Sequence, residues 1–158
     1  MVESLVMKSK LLTLVYASKN DELLLGLKKR GFGVGKWNGF GGKLEENETC
    51  ETAAIRELAE EAGISPISLN KMGVLEFEFI GDPQILETHV FQALEFEGEP
   101  IETEEMKPQW FKVADIPYQN MWDGDKYWLP LLLEGKRFKG RLLFGENDQV
   151  VQHNLEVE

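Results

Sequence analysis

The chain is short of cysteine, of positive charge and of long apolar runs. Its single cysteine, Cys50, rules out an internal disulfide and favours a reducing, cytoplasmic setting. No stretch approaches the roughly 20 apolar residues that a bilayer-spanning helix requires. Met1 to Lys10 carries Glu3, Lys8 and Lys10 and no long apolar run, so neither an export signal nor an Arg-rich transit segment is expected there. Lysine and arginine number 17 against 28 aspartates and glutamates, a net charge of −11. That balance excludes a binder of nucleic acid polymers, which needs bases on the phosphates, and a binder of anionic membranes. At first sight it disfavours anionic substrates too. Internal repeats and low-complexity tracts are also lacking.

What is present is a globular composition. The 158 residues are 42% hydrophobic and 28% charged, enough for one core, and no linker-like break divides the expected single domain, 1–158. Leu11 to Ala17 and Leu23 to Leu27 read as strands joined by a polar turn at Ser18 to Asp21. Residues 31–42 hold six of the 15 glycines and read as a loop of close backbone approaches. Thr49 to Ala62 has helical period, and Gly63 is a natural stop. Further strands are expected at Leu75 to Ile80, His89 to Phe96, Gln109 to Val113, Arg141 to Phe144 and Val150 to Leu155. Lys126 to Leu133 reads as a second helix, closed by Gly135, with Pro130 acceptable only near its first turn. This order predicts the α+β class, a mixed β-sheet between helices in an α/β/α sandwich.

On a helical wheel, Glu57, Glu60 and Glu61 share the arc centred on Ala53, while Ile55, Leu58, Ala59 and Ala62 lie opposite. Neighbouring like charges cost about 0.2–0.5 kcal/mol per pair. A hard divalent cation with oxygen ligands would relieve that cost. Taken alone, three acids fit a solvated face as well as a cation site.

The surrounding residues narrow the choice. Gly42, Glu48, Arg56-Glu57-Leu58, Glu60-Glu61 and Gly63-Ile64 spell G-x5-E-x7-R-E-L-x-E-E-x-G-I. This resembles the Nudix hydrolase box with no position missing. The resemblance implies a Nudix fold and Mg²⁺-dependent hydrolysis of a nucleoside diphosphate linked to a further group, with Mn²⁺ as a substitute ion. Glu57, Glu60 and Glu61 would supply metal oxygens, and Arg56 would hold Glu48 or another box carboxylate. The general base would be Glu61 or Glu57, with Glu60 also open. The catalytic set implied is therefore Glu48, Arg56, Glu57, Glu60 and Glu61.

Outside the box, Leu27-Lys28-Lys29-Arg30-Gly31-Phe32-Gly33, Lys36 to Lys43, Phe77-Glu78-Phe79, Glu105 to Pro108, Met121-Trp122 and Tyr127 to Leu133 resemble the branch of that family acting on oxidised purine nucleoside triphosphates. The resemblance runs from about Lys10 to Gly145. It implies 8-oxo-dGTP as substrate, with 2-hydroxy-dATP and O6-methyl-dGTP as further candidates, released as nucleoside monophosphate and pyrophosphate by a monomer. Asn38 would hydrogen-bond the purine and Trp122 would stack on it. Phe32, Phe77 and Phe79 would wall the pocket, and Thr13 and Lys28 would line it. Glu105 would add an acid near the metal, with Gly41 and Gly42 offering backbone carbonyls. By themselves, Phe77 and Phe79 also read as core, Trp122 as a loop anchor, Lys28 to Arg30 as a solvated patch and Asn38 as a turn residue.

One position departs from that branch. Two adjacent pocket aspartates are expected after the tryptophan, and the stretch here is Trp122-Asp123-Gly124-Asp125. Asp125 matches the second acid and Gly124 replaces the first. Asp123 is a candidate substitute one place earlier, and an aspartate at 124 is expected to broaden purine use. Base choice therefore stays open, as do a different nucleotide derivative and a non-catalytic nucleotide-binding module; the complete set of box glutamates speaks against the last.

The charge is unevenly spread. Residues 45–61 carry seven acids and one base, and residues 95–105 carry six acids and no base. Leu23 to Leu44 carries five bases and no acid. Local cation and phosphate sites therefore fit within an acidic chain.

Overall fold

The computed structural model describes residues 8–158. The expectation for Met1 to Lys10 falls mainly on residues 1–7, outside the described residues. Among the described residues no helix is long and apolar enough to cross a membrane.

The chain runs β1 (Lys8–Lys19), β2 (Glu22–Lys28), β3 (Trp37–Asn38), β4 (Phe40–Lys43), α1 (Cys50–Ala62), β5 (Ser65–Phe79), β6 (Gln84–Glu97), β7 (Met106–Lys112), α2 (Asp125–Leu133), β8 (Phe138–Phe144) and β9 (Val150–Val157). The sheet is mixed: β1 runs parallel to β6 and antiparallel to β4, and β5 runs parallel to β8 and antiparallel to β6. Side chains alternate along β1, so Leu14 and Tyr16 enter one core while Val15 and Ala17 enter the other. The first core takes Trp128, Leu129 and Leu132 from α2, and the second takes Ala54, Leu58 and Ala62 from α1. The sheet thus lies between the two helices, which bears out the expected α+β sandwich.

Several bounds differ from the sequence reading. The strand expected from Leu75 begins at Ser65, and the one expected from His89 begins at Gln84. Residues 65–71 of β5 alternate poorly because most of them are solvent-exposed, and their ladder to β6 shifts register three times. The glycine-rich segment is not wholly loop, since β3 and β4 lie inside it. Gly41 makes this possible: a Cβ there would sit 1.9 Å from the Thr13 carbonyl oxygen of β1. Pro130 is the sixth residue of α2, past its first turn. A nine-residue helix anchored by three buried side chains, Trp128, Leu129 and Leu132, tolerates the missing N–H.

Helix α1 begins as its sequence indicates. The Thr49 hydroxyl accepts from the Thr52 amide, the Thr52 hydroxyl accepts from the Thr49 amide, and Gly63 closes the helix at φ 73°. Its two faces are rotated from the wheel reading. Ile55 is 43% exposed and Ala59 is exposed, whereas Ala53 is buried and Glu61 is 5% exposed. The helix rolls Glu61 under β4, so the acids divide between a buried and an exposed side.

Candidate active site

A cavity of about 720 Å³ opens on the α2 side of the sheet. Of the residues expected to bind substrate, Thr13, Lys28, Phe32, Asn38, Phe77, Phe79, Trp122 and Asp125 line it. Gly41, Gly42 and Glu61 join them from the box side.

The aromatic end is built around Trp122. Phe32 stacks on its ring at 5.0 Å between centroids, and Phe79 and Phe144 meet it edge-on at 6.3 and 5.9 Å. The Lys36 ammonium lies 5.4 Å from the same ring. Asn38 is oriented by its neighbours: its Oδ1 accepts from the Gly39 amide at 2.9 Å and from the Tyr16 hydroxyl at 3.4 Å. Its side-chain NH₂ is therefore what Asn38 can offer a ligand.

Asp125, in the first turn of α2, is 4% exposed, and its Oδ2 has no hydrogen-bond partner. Burial pushes its pKa up to about 7, against the weaker pull of the Trp128 indole and the Lys36 charge. Near neutrality it can accept or donate. Thr13 Oγ1 is likewise buried without a partner. An unpaired buried carboxylate oxygen beside a cavity is costly, so Asp125 Oδ2 favours a polar ligand.

The acidic end is organised by Arg56. Its guanidinium donates to Glu48 at 2.7 and 2.9 Å, Glu57 at 2.8 Å, Glu60 at 3.1 Å and the Lys43 carbonyl at 3.2 Å. This matches the positioning part expected for Arg56 with Glu48. Glu61 accepts from the Gly41 amide at 2.9 Å. Burial pushes Glu61 up to about 8; the Gly41 bond and the Lys28 charge oppose this, while the Glu57 and Glu105 charges reinforce it. Burial also raises Glu57 against the pull of Arg56. A Cβ on Gly42 would lie 3.0 Å from a Glu57 oxygen, so glycine lets this carboxylate lie against the β4 backbone.

Among the described residues no three acidic, histidine or cysteine side chains converge on an ion-sized gap. Mg²⁺ commonly uses only one or two carboxylates together with substrate phosphates, and Glu57 and Glu61 supply such a pair. Burial raises both pKa values, and the Glu57 charge adds to the rise of Glu61; a divalent cation would offset both effects, so the donor set fits one.

Residues 11–132 match the NUDIX domain family, across three quarters of the chain and the whole acidic box. The chain belongs to the NUDIX family. It is 52% identical over 151 residues to the zebrafish (Danio rerio) oxidized purine nucleoside triphosphate hydrolase, covering 95% of this chain and 97% of that protein. It is 48% identical over 147 residues to the Mus musculus protein of the same name, covering 93% and 94%. The crystal structure of the MutT protein from Bacillus halodurans superposes with a TM-score of 0.83 at 25% identity, over 93% of this chain and 97% of that one.

Within this Nudix hydrolase, one expected site residue, Asp123, lies elsewhere than the sequence suggested. Asp123 does not line the cavity: its Oδ2 accepts from the Val150 amide at 2.8 Å, and its Oδ1 pairs with Lys126 at 3.0 Å. It ties the Trp122 loop to β9 and is no substitute for the missing pocket acid. Glu105 pairs with Lys28 at 3.2 Å and with Arg30 at 2.7 Å, and these cations hold its pKa below the usual carboxylate range, Arg30 first. Glu60 sits at the rim, its side chain 57% exposed, and bonds only to Arg56. A Cβ at Gly124 would begin 2.6 Å from Leu142 Cδ2, 3.3 Å from Phe144, which lines the cavity, and 3.6 Å from Val150, so a side chain there requires the flexible end of Leu142 to move.

The structure also adds lining residues the sequence did not single out, among them Lys10, Lys43, Gln84, Thr88 and Phe144. Alternation is the signal that could have found some of them. Lys10 shares a β1 face with Leu12 and Leu14, and Gln84 shares a β6 face with Thr88.

Proposed function

We propose that this Nudix hydrolase converts oxidised purine nucleoside triphosphates, 8-oxo-dGTP first among them, to the nucleoside monophosphate and pyrophosphate with Mg²⁺, Mn²⁺ serving in its place. The observation that carries the reading is Asp125. It is a buried carboxylate with one bare oxygen and a pKa near neutrality, facing the cavity that also holds Asn38 and Trp122. The zebrafish and mouse relatives, named as hydrolases of this substrate class, support it.

The purine lies against Trp122, where stacking contributes about 1–3 kcal/mol. Asn38 donates its NH₂ to an acceptor on the base edge. Asp125 Oδ2 accepts from a ring N–H when ionised and donates to a ring nitrogen or oxygen when protonated. This gives one pocket reach over more than one purine edge. Phe32, Phe77 and Phe79 exclude water around the ring, and Lys28 and Thr13 lie along the path towards the box.

Glu57 and Glu61 would hold the cation, with Glu60, Glu105 and the Gly41 and Gly42 carbonyls around them. When bound, the ion acidifies water and neutralises phosphate oxygens. Arg56 keeps Glu48 and Glu57 in place. Glu61 Oε1 is tied to the Gly41 amide, which leaves Oε2 to take a proton from the attacking water; Glu57 is the alternative base. The new bond forms between water oxygen and a phosphorus of the α–β bridge, and the bridging P–O bond breaks. We read the enzyme as a cytoplasmic monomer with one catalytic domain.

A second reading keeps the chemistry and changes the base. With Gly124 in place of one acid and Asp123 turned to Val150, Asp125 is the acid of the Trp122 segment that lines the cavity, which favours purines offering a single complementary edge, such as O6-methyl-dGTP. Pyrophosphate release should be measured for 8-oxo-dGTP, 2-hydroxy-dATP, O6-methyl-dGTP and dGTP, with and without EDTA. The reading expects the highest kcat/KM for 8-oxo-dGTP and none in EDTA. Preference for O6-methyl-dGTP would select the second reading, and activity surviving EDTA would overturn the metal-dependent chemistry.

A further inference from the structure

Tyr16 of β1 is 0% exposed and belongs to the α2-side core with Leu14, Leu23, Leu25 and Trp128. A phenylalanine would fill the same volume without an O–H to desolvate, so a hydroxyl buried there needs a bonding partner. Its acceptor is Asn38 Oδ1, at 3.4 Å. The ring is held from two sides. It meets Trp128 edge-on at 5.7 Å between centroids, and Gly39 lies flat against it: a Cβ at Gly39 would come 2.7, 2.8 and 2.9 Å from three ring atoms. Strand register accounts for this contact. Val15 pairs with Phe40, so one step along the antiparallel strands sets Tyr16 opposite Gly39.

Asn38 Oδ1 thus accepts twice, from the Tyr16 hydroxyl and from the Gly39 amide at 2.9 Å. An amide rotated by half a turn would set its NH₂ against both donors and lose both bonds. The Gly39 bond is local, from the next residue in the chain. The Tyr16 bond spans 22 residues and comes only from the packing of β1 against the Asn38–Gly39 segment. Burial first, then the Asp125 charge, raises the Tyr16 pKa well above the ordinary phenol value, against the pull of the Gly39 backbone. The hydroxyl therefore keeps its proton and stays a donor. Asn38 and Asp125 line the cavity, and Tyr16 stands behind them in the core.

We propose that Tyr16 is a positioning residue that sets base specificity: its hydroxyl locks the Asn38 amide with the NH₂ towards the cavity, so the pocket offers one fixed donor beside the switchable Asp125. This role deepens the purine triphosphate reading and rests on it for the ligand; the locked amide does not depend on the ligand. A purine presenting an acceptor to Asn38 gains a bond, whereas one presenting a donor meets an opposed N–H group and is disfavoured. In Tyr16→Phe the Gly39 bond alone restrains the amide. The rotated form then becomes populated, and the pocket takes either edge at the expense of the matched one.

The test compares wild type with Tyr16→Phe in Mg²⁺-supported turnover of 8-oxo-dGTP, 2-hydroxy-dATP, O6-methyl-dGTP and dGTP. The variant should lose about three- to ten-fold in kcat/KM on the best substrate, more through KM than through kcat, the scale of one hydrogen bond. It should lose less on the poorest, so that the spread among the substrates narrows. In an Asn38→Ala background the same substitution should leave the spread unchanged, since no amide remains to lock. Melting curves check that each variant folds. A loss that is absent, equal on all substrates, or undiminished in the Asn38→Ala background would overturn the role of Tyr16. NMR of the Asn38 side-chain amide in the ligand-free protein gives a readout free of turnover. In wild type its NH₂ protons should show Overhauser contacts to cavity side chains, and contacts to the Gly39 amide proton should emerge in Tyr16→Phe. Wild-type NH₂ protons lying against the Gly39 amide proton would overturn the lock, and this spectrum alone decides if Tyr16→Phe fails to fold. A locked amide in a wild type that hydrolyses no purine triphosphate would uphold the lock and overturn the substrate reading instead.

Discussion

Glu61 of α1 accepts a hydrogen bond at 2.9 Å from the amide of Gly41, 20 residues earlier in β4. This contact joins the acidic helix to the glycine strand and places a nearly buried carboxylate at the cavity wall. Gly41 serves both strands at once: its missing side chain lets β4 approach β1, and its amide then faces Glu61.

That burial has a pH signature in the metal-free protein. Glu61 is raised from 4.5 to about 8 and Asp125 from 3.8 to about 7, by burial first in both cases. Over those intervals the folded state holds protons that the unfolded state has released. Stability therefore falls as pH rises from the ordinary carboxylate range to about pH 8. Thermal melts in EDTA across this window should show Tm falling with pH in wild type and falling less in Glu61→Gln. A flat wild-type curve would contradict the burial of both groups.

Asp125→Asn keeps the shape of the pocket and removes its capacity to switch between acceptor and donor. The expected loss in kcat/KM for 8-oxo-dGTP is about 10- to 100-fold, the range for a hydrogen bond to a charged group. Steady-state kinetics on purified protein checks it, and unaltered turnover would remove Asp125 from the base site.

Arg56 holds three carboxylates, Glu48, Glu57 and Glu60, and the Lys43 carbonyl with one planar group, a pattern an ammonium cannot reproduce. Arg56→Lys should therefore raise the Mg²⁺ concentration for half-maximal activity by about 10- to 100-fold, the usual scale for losing a group that orients metal ligands. A Mg²⁺ titration of activity gives the answer. An unchanged midpoint would mean that Glu57 needs no positioning by Arg56.

Two glycine substitutions separate backbone from side-chain obstruction. In Gly41→Ala the new carbon would meet the Thr13 carbonyl oxygen at 1.9 Å, and neither strand can yield. In Gly124→Ala it would meet the flexible end of Leu142 at 2.6 Å. Gly41→Ala should cost at least the 1–3 kcal/mol typical of overpacking, about the upper end or beyond, with Gly124→Ala nearer the lower end. Urea melts of the two variants should rank them in that order; the reverse order would refute the close pairing of β4 with β1.

The acidic box was legible because its parts are close in sequence. Thr49 to Gly63 is one helix whose cap, period and stop are local properties. Family membership and hydrolytic class followed from that pattern and are borne out by the NUDIX match and the two hydrolase relatives. The mixed sheet between helices was also legible, from strand alternation and element order. The rotation of α1 was not, because Ile55 and Glu61 exchange their expected exposure only once β4 packs across the helix.

By itself the sequence determined which residue types stand at box spacing, where the helices begin and end, and that charge is concentrated in separate segments. Only the tertiary structure decided which of those residues share a cavity. Lys10, Gln84 and Phe144 reach it by strand register across the sheet, while Asp123, three residues from Lys126 and two from Asp125, is drawn to the Val150 amide and leaves Asp125 alone inside. Spacing along a chain fixes which neighbours share a helix face or strand face, but a pocket is closed by long-range pairing. A shift of one residue there turns a side chain from the ligand to the opposite face.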